Sequence, residues 1–270
     1  MTAAVEVHGE ATQAEAAEAW PPGDVLRDIT RGGVAGVIAG ILAVGLGGRL
    51  AMRLAAVAIP GSVGEFTENG NRIGAITFEG TFALVGVGLI VGVGVGFLWV
   101  VVRPWIPGGT AVRALLAMPL AVAVGSRGII EGENNDFEIL ERAPVVVAIL
   151  ILLVMLVGLV VALVDAWLDG RLPRATARES GPAGIYAVIA AVGALMGFPL
   201  FIPGYLGQEH RWLGIALVAV GVATLATWLF RVRRRKAPAI VSTLGYGALA
   251  ATAIVGLAIT WSEVAFALRI

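Results

Sequence analysis

The sequence predicts an all-α, polytopic integral membrane bundle of seven transmembrane helices, with the amino terminus inside and the carboxyl terminus outside. Composition is the first observation behind this. The chain has 270 residues, of which 58% are hydrophobic and 14% charged, with a mean hydropathy of +0.90; a soluble domain of this size carries about 25% charged residues. Clustering is the second. Runs free of Asp, Glu, Lys, Arg, His, Asn and Gln cover 32–48, 80–102, 143–164, 180–207, 212–230 and 237–262, and all but the first reach the ~18 residues that suggest a membrane span. The distribution of arginine, taken up below, is the third.

These observations exclude several classes. The formal net charge is zero, with no basic face for nucleic acid. Cysteine is absent, so a disulfide scaffold is excluded. Of the 19 basic residues only Lys236 is lysine, and with so much glycine, alanine and valine this reads as the usage of a high-GC bacterial genome, hence a bacterial cytoplasmic (inner) membrane.

The chain divides into a polar cytoplasmic tail, 1–30, and a transmembrane domain, 31–270. The tail carries Glu6, Glu10, Glu15 and Glu18 without the basic segment of a signal peptide. Pro21-Pro22-Gly23 predicts a break, followed by a short interfacial helix over DVLRDIT, 24–30, with Val25, Leu26 and Ile29 on one face. Span one, 32–59, completes its crossing near residue 51, which puts Arg49 and Arg53 at the far interface. Spans two to seven follow at 80–102, 110–129, 144–166, 183–203, 212–230 and 238–261. Span three is the shortest in apolar content, being bracketed by Arg113 and Arg127 and interrupted by Pro119.

Arginine placement supports that span and the orientation, because positive charge is retained on the cytoplasmic side of short loops. With seven spans and an inner amino terminus, Arg27, Arg31, Arg103, Arg113, Arg171, Arg174, Arg178, Arg231, Arg233, Arg234, Arg235 and Lys236 lie inside, against Arg72, Arg127, Arg142, Arg211 and Arg269 outside. Without span three the cluster RVRRRK would lie outside. Trp20, Trp99, Trp105, Trp167 and Trp228 fall near inner ends and Trp212 and Trp261 near outer ones, the headgroup level that indoles prefer.

Packing in lipid relies on small residues. Gly32, Gly36 and Gly40 in span one and Gly88, Gly92 and Gly96 in span two share one spacing, so these faces are expected to meet, and glycine faces also offer a route to a homo-oligomer. Gly193, Gly197, Pro199 and Pro203 predict a kinked outer end of span five, a break that can mark a transport site but is more often tolerated structure. The run GVGLIVGVGVG, 86–96, has dinucleotide-fingerprint glycines but no strand, turn or downstream acid around it.

The outer loops 61–80 and 125–142 both open Gly-Ser-x-Gly and both carry Glu-Asn, so spans one-two and three-four are a candidate internal repeat. They define the candidate ligand-binding site, an outer vestibule where Arg49, Arg53, Arg72 and Arg127 meet Glu68, Asn69, Asn71, Glu131, Glu133, Asn134, Asn135 and Asp136. Arg49 and Arg53, four apart, share a helix face, and paired guanidiniums need counter-charges or bind a phosphate or carboxylate. The competing reading is that they snorkel to headgroups or pair with the loop carboxylates.

No metal or other cofactor is expected: the carboxylates of 131–141 do not match a calcium loop, and His8 and His210 are far apart. Asp165 is the most membrane-embedded carboxylate, read as an anchor beside Arg171. No catalytic residue can be named, so an enzyme is not favoured. The favoured function is a small-molecule or lipid-handling membrane protein, with transport as one mode and an anionic lipid or small anionic solute as ligand. The alternatives are a membrane-embedded enzyme acting on lipid and a structural or signalling subunit. The bilayer is the expected partner, and nucleic acid is not.

Overall fold

The computed structural model describes residues 20–65, 73–75, 77–130, 140, 143–174, 180–207 and 210–268, and among these all regular structure is helical. Among the described residues seven helices are long and apolar enough to cross a membrane. The first, α1, runs Pro21–Ala58; it is α-helical over Pro21–Ala39, π-helical over Gly40–Gly47 and α-helical again over Gly48–Ala58. The others are α2 (Phe78–Val102), α3 (Thr110–Gly125), α4 (Pro144–Asp169), α5 (Ser180–Tyr205), α6 (Arg211–Val232) and α7 (Ala239–Leu268).

The expected break at Pro21-Pro22-Gly23 is instead a helix start, and no separate interfacial helix exists over 24–30. Proline in a first turn forfeits only amides that have no intrahelical acceptor there, and Asp24 complements the positive end of the helix. Gly23 and Val25 are buried, and Trp20 and Leu26 pack on Ala183 and Tyr186 of α5. At 38 residues α1 is roughly 55 Å long, well beyond the ~30 Å of a hydrocarbon core. Span three is a helix that continues through Pro119, and α5 continues through Pro199 and Pro203 to Tyr205.

Helix α1 packs chiefly on α2 and also on α4 and α5, α3 packs on α4 and α7, and α6 packs on α7. The α1–α2 contact is the expected glycine face. A Cβ on Gly88 would lie 2.5 Å from the Gly40 carbonyl oxygen, one on Gly92 2.8 Å from that of Gly36, and one on Gly96 2.7 Å from that of Gly33. The backbones approach so closely that no side chain fits between them.

Hydroxyls tie other helices together. Trp105 Nε1 donates to Thr224 Oγ1 at 2.7 Å, and Thr224 in turn donates to the Val101 carbonyl at 2.7 Å. Ser126 and Thr260 hydroxyls lie 2.6 Å apart, joining the end of α3 to α7. Trp99 and Trp105 are therefore not headgroup anchors: they are 4% and 5% exposed, inside the bundle, because an indole that finds a neighbouring helix to pack on gains more than one left at an interface. Trp167, Trp212 and Trp261 are exposed.

Candidate functional site

Charge is concentrated at one end of the bundle, below called the Arg103 end. Arg27 and Arg31 are four apart on α1, and Asp165 and Asp169 are four apart on α4, so each pair occupies one helix face. The two helices pack antiparallel and the faces meet in register: Arg27 pairs with Asp169 at 2.9 Å, Arg31 with Asp165 at 2.8 Å, and Arg31 also with Asp169. Arg103, just past α2, reaches the same Asp165 oxygen at 2.9 Å and Asp28 at 3.3 Å. Arg231, in the last turn of α6, closes the set on Asp28 at 2.9 Å. Four arginines thus face three aspartates drawn from α1, α2, α4 and α6.

Arg31, Arg103 and Asp165 are only 7%, 6% and 6% exposed. Buried charges of this kind persist only when paired and hydrogen-bonded, and here one Asp165 oxygen accepts from two guanidiniums. The reading of Asp165 as an anchor beside Arg171 is corrected: Arg171 stacks over the Trp167 ring at 4.8 Å, while Asp165 faces inward. Sequence reasoning missed this cluster, although the matching four-residue spacing of Arg27/Arg31 and Asp165/Asp169 was a signal.

Next to the cluster is a cavity of about 530 Å³ bounded by α2, α3, α4 and α5, within the usual range for small-molecule sites. Its walls are apolar, with Phe97, Leu98, Leu120, Val157 and Phe201 among them. At one extreme it is lined by Val102, which precedes Arg103, and by Val161, one turn before Asp165. At the other it is lined by Arg127, Gly128 and Tyr205; this is the Arg127 end. Val87, Ile90 and Val91 line it and are also exposed, so it opens sideways at α2. Arg127 Nη1 donates to the Gly204 carbonyl at 3.0 Å, and the Tyr205 hydroxyl donates to the Val124 carbonyl at 3.0 Å, fixing both polar groups at the mouth.

Of the residues expected in a vestibule, Glu68, Asn69, Asn71, Arg72, Glu131, Glu133, Asn134, Asn135 and Asp136 lie outside the described residues. The three that are described have different surroundings. Only Arg127 among them lines the cavity. Arg53 is exposed and donates to the Gly74 carbonyl at 2.7 Å. Arg49 packs against Gly80 at the start of α2, where its Nε and Nη2 are buried without a hydrogen-bond partner among the described residues. Among the described residues no group of three His, Cys, Asp or Glu side chains is placed to hold a metal ion.

Comparison with known proteins returned nothing: no family model, no curated protein and no solved structure matches the chain.

Proposed function

We propose that the chain is a multi-pass protein of the bacterial inner membrane, amino terminus inside and carboxyl terminus outside, that handles a small amphiphile or lipid, with transport as the favoured mode. The observation that carries this is the apolar cavity with a guanidinium and a phenol at one end and a buried ion cluster beyond the other. Such a chamber suits an apolar chain with an acidic head: the chain lies among Phe97, Leu120 and Phe201, and the head meets Arg127. The lateral opening at Val87, Ile90 and Val91 suits entry from lipid.

In this reading the ion cluster is the inner closure. It ties α1, α2, α4 and α6 together one turn beyond the cavity, and passage toward the cytoplasm requires those pairs to separate. Charged contacts between helices at interfaces are a common means of holding one of two arrangements.

The orientation follows from the positive-inside rule. Reporter fusions at Gly108, Gly170 and Arg235 are expected to give cytoplasmic signals and a fusion at the carboxyl terminus a periplasmic one; a periplasmic signal at Arg235 would overturn the seven-span count.

Binding is tested by filling the chamber. A fluorescent fatty-acid analogue should quench tryptophan emission of the purified protein saturably, since Trp99 lines the cavity. Leu120→Trp, which adds an indole to the wall, should weaken that binding about ten-fold or more with little change in the midpoint of unfolding. Unaltered probe affinity in a folded Leu120→Trp protein would remove the cavity from the site.

A further inference from the structure

We propose that the basic turn leading out of α6, residues 231–236, is the docking surface for this chain's own acidic amino-terminal segment, whose Glu6, Glu10, Glu15 and Glu18 carry the complementary charge. Such docking needs neither a ligand in the cavity nor a particular side of the membrane.

Helix α6 ends in a turn of defined geometry. The Arg235 amide donates to the Phe230 carbonyl at 2.8 Å and the Arg234 amide to that of Arg231 at 2.9 Å, the pair of bonds that closes a helix on a residue in the left-handed conformation. That residue is Arg234, at φ 53°. Glycine is the usual occupant of such a position, because a Cβ is strained there. Here the position falls inside the run Arg233-Arg234-Arg235-Lys236, all four exposed. The closure therefore presents a dense block of positive charge at one place on the surface.

The amino-terminal segment starts out beside this turn. Asp28 of α1 is paired with Arg231 at 2.9 Å, and Trp20 lies about 12 Å back along the helix from Asp28. The residues before Trp20 contain four glutamates and no lysine or arginine. Lys236 is five positions past Arg231, at most roughly 18 Å away. Glu10 and Glu6 precede Trp20 by ten and fourteen positions, which in extended chain is a reach of roughly 35 and 50 Å, so both come within range of the turn. The deeper carboxylates of this end, Asp165 and Asp169, are taken by Arg27, Arg31 and Arg103.

One exposed ion pair contributes little. Four glutamates facing five cations do more, because the encounter is intramolecular and the effective concentration high. Arg231 belongs to both the turn and the ion cluster, so a docked segment holds α1 to α6 beside the Asp28 pair.

Lys236 is the only lysine of the chain, so apart from the terminal amine a carbodiimide, which joins amine to carboxylate without a spacer, reports on this turn alone. The full chain in neutral detergent at low salt is coupled, digested and mapped by mass spectrometry, using a mixture of isotopically heavy and light protein to separate links within one chain from links between two. The expected result is Lys236 joined within one chain to Glu6 or Glu10, and no such link in ~1 M sodium chloride, where screening acts within ~3 Å. Arg233→Gln with Arg234→Gly removes two charges, the second at a position that suits glycine. This double variant should lower the coupled fraction about five-fold without lowering the midpoint of unfolding. Coupling in nanodiscs tests the membrane as the rival occupant. A link kept in both phosphatidylcholine and phosphatidylglycerol discs supports the acidic segment, whereas its loss in phosphatidylglycerol alone assigns the turn to lipid headgroups and overturns the docking. A Lys236 that is reactive to an amine label yet joins no glutamate of 6–18 within one chain, or a link indifferent to salt and to the double variant, overturns it as well.

Discussion

Gly92→Val is expected to abolish the close packing of α1 on α2 and to cost of order 3 kcal/mol, seen as a large fall in the thermal midpoint or as failure to accumulate folded protein. A Cβ on Gly92 would lie 2.8 Å from both the Gly36 carbonyl oxygen and Val37 Cα. Those are backbone atoms, so relief requires the two helices to separate along their contact. The effect is specific to the buried glycine face. Gly86→Ala, in the same helix, places its Cβ where nothing lies within 4 Å, and should be neutral or slightly stabilising because alanine is the better helix former. Equal sensitivity at Gly86 and Gly92 would show that the loss reflects helix content and not the interface.

The second large effect is expected at Asp165. Asp165→Asn removes the charge that Arg31 Nε and Arg103 Nη1 share at 2.8 and 2.9 Å, leaving two buried guanidiniums with Asp28 and Asp169 as the remaining carboxylates among the described residues. Breaking a buried pair from one side costs about 3–5 kcal/mol. Removing both partners costs less, because no charge is then stranded, so Arg103→Gln should partly restore the midpoint of Asp165→Asn. Thermal unfolding of the two single variants and the double variant gives the coupling directly. Additive losses would mean that the residues do not act as a pair.

Much of the fold was legible because its signals are local. Long apolar runs mark the spans, and four-residue glycine spacing in 32–40 and 88–96 marks the face on which α1 and α2 meet. Arginine parity kept span three in the count despite Pro119, and Thr110–Gly125 is a helix. The entry to α1 was misread because Pro-Pro-Gly resembles a break, whereas prolines in a first turn are compatible with a helix and the turn is buried against α5. The π-helical stretch over Gly40–Gly47 left no mark that periodicity could detect.

The site was less legible because its groups come from distant parts of the chain. Asp165 stands 134 positions from Arg31 and 62 from Arg103, and only the fold brings them together. Arg49 and Arg53 stand four apart on one helix face, yet that spacing does not give them a common environment: Arg53 meets a carbonyl and Arg49 the end of a helix. Arg127 was singled out for its loop, and its place at the cavity mouth follows from Gly204 and Tyr205, which nothing near it in sequence indicates.

The claim on which the functional account depends is that the chamber between α2, α3, α4 and α5 takes an amphiphile. Photo-crosslinking tests it most directly: the protein is reconstituted with an acidic lipid analogue carrying a mid-chain diazirine, and the adducts are mapped by mass spectrometry. Adducts are expected to concentrate on cavity residues such as Phe97, Leu120 and Phe201 and to be lost in Leu120→Trp. Adducts spread evenly over the exposed faces of α6 and α7 as well, and unchanged in that variant, would contradict it.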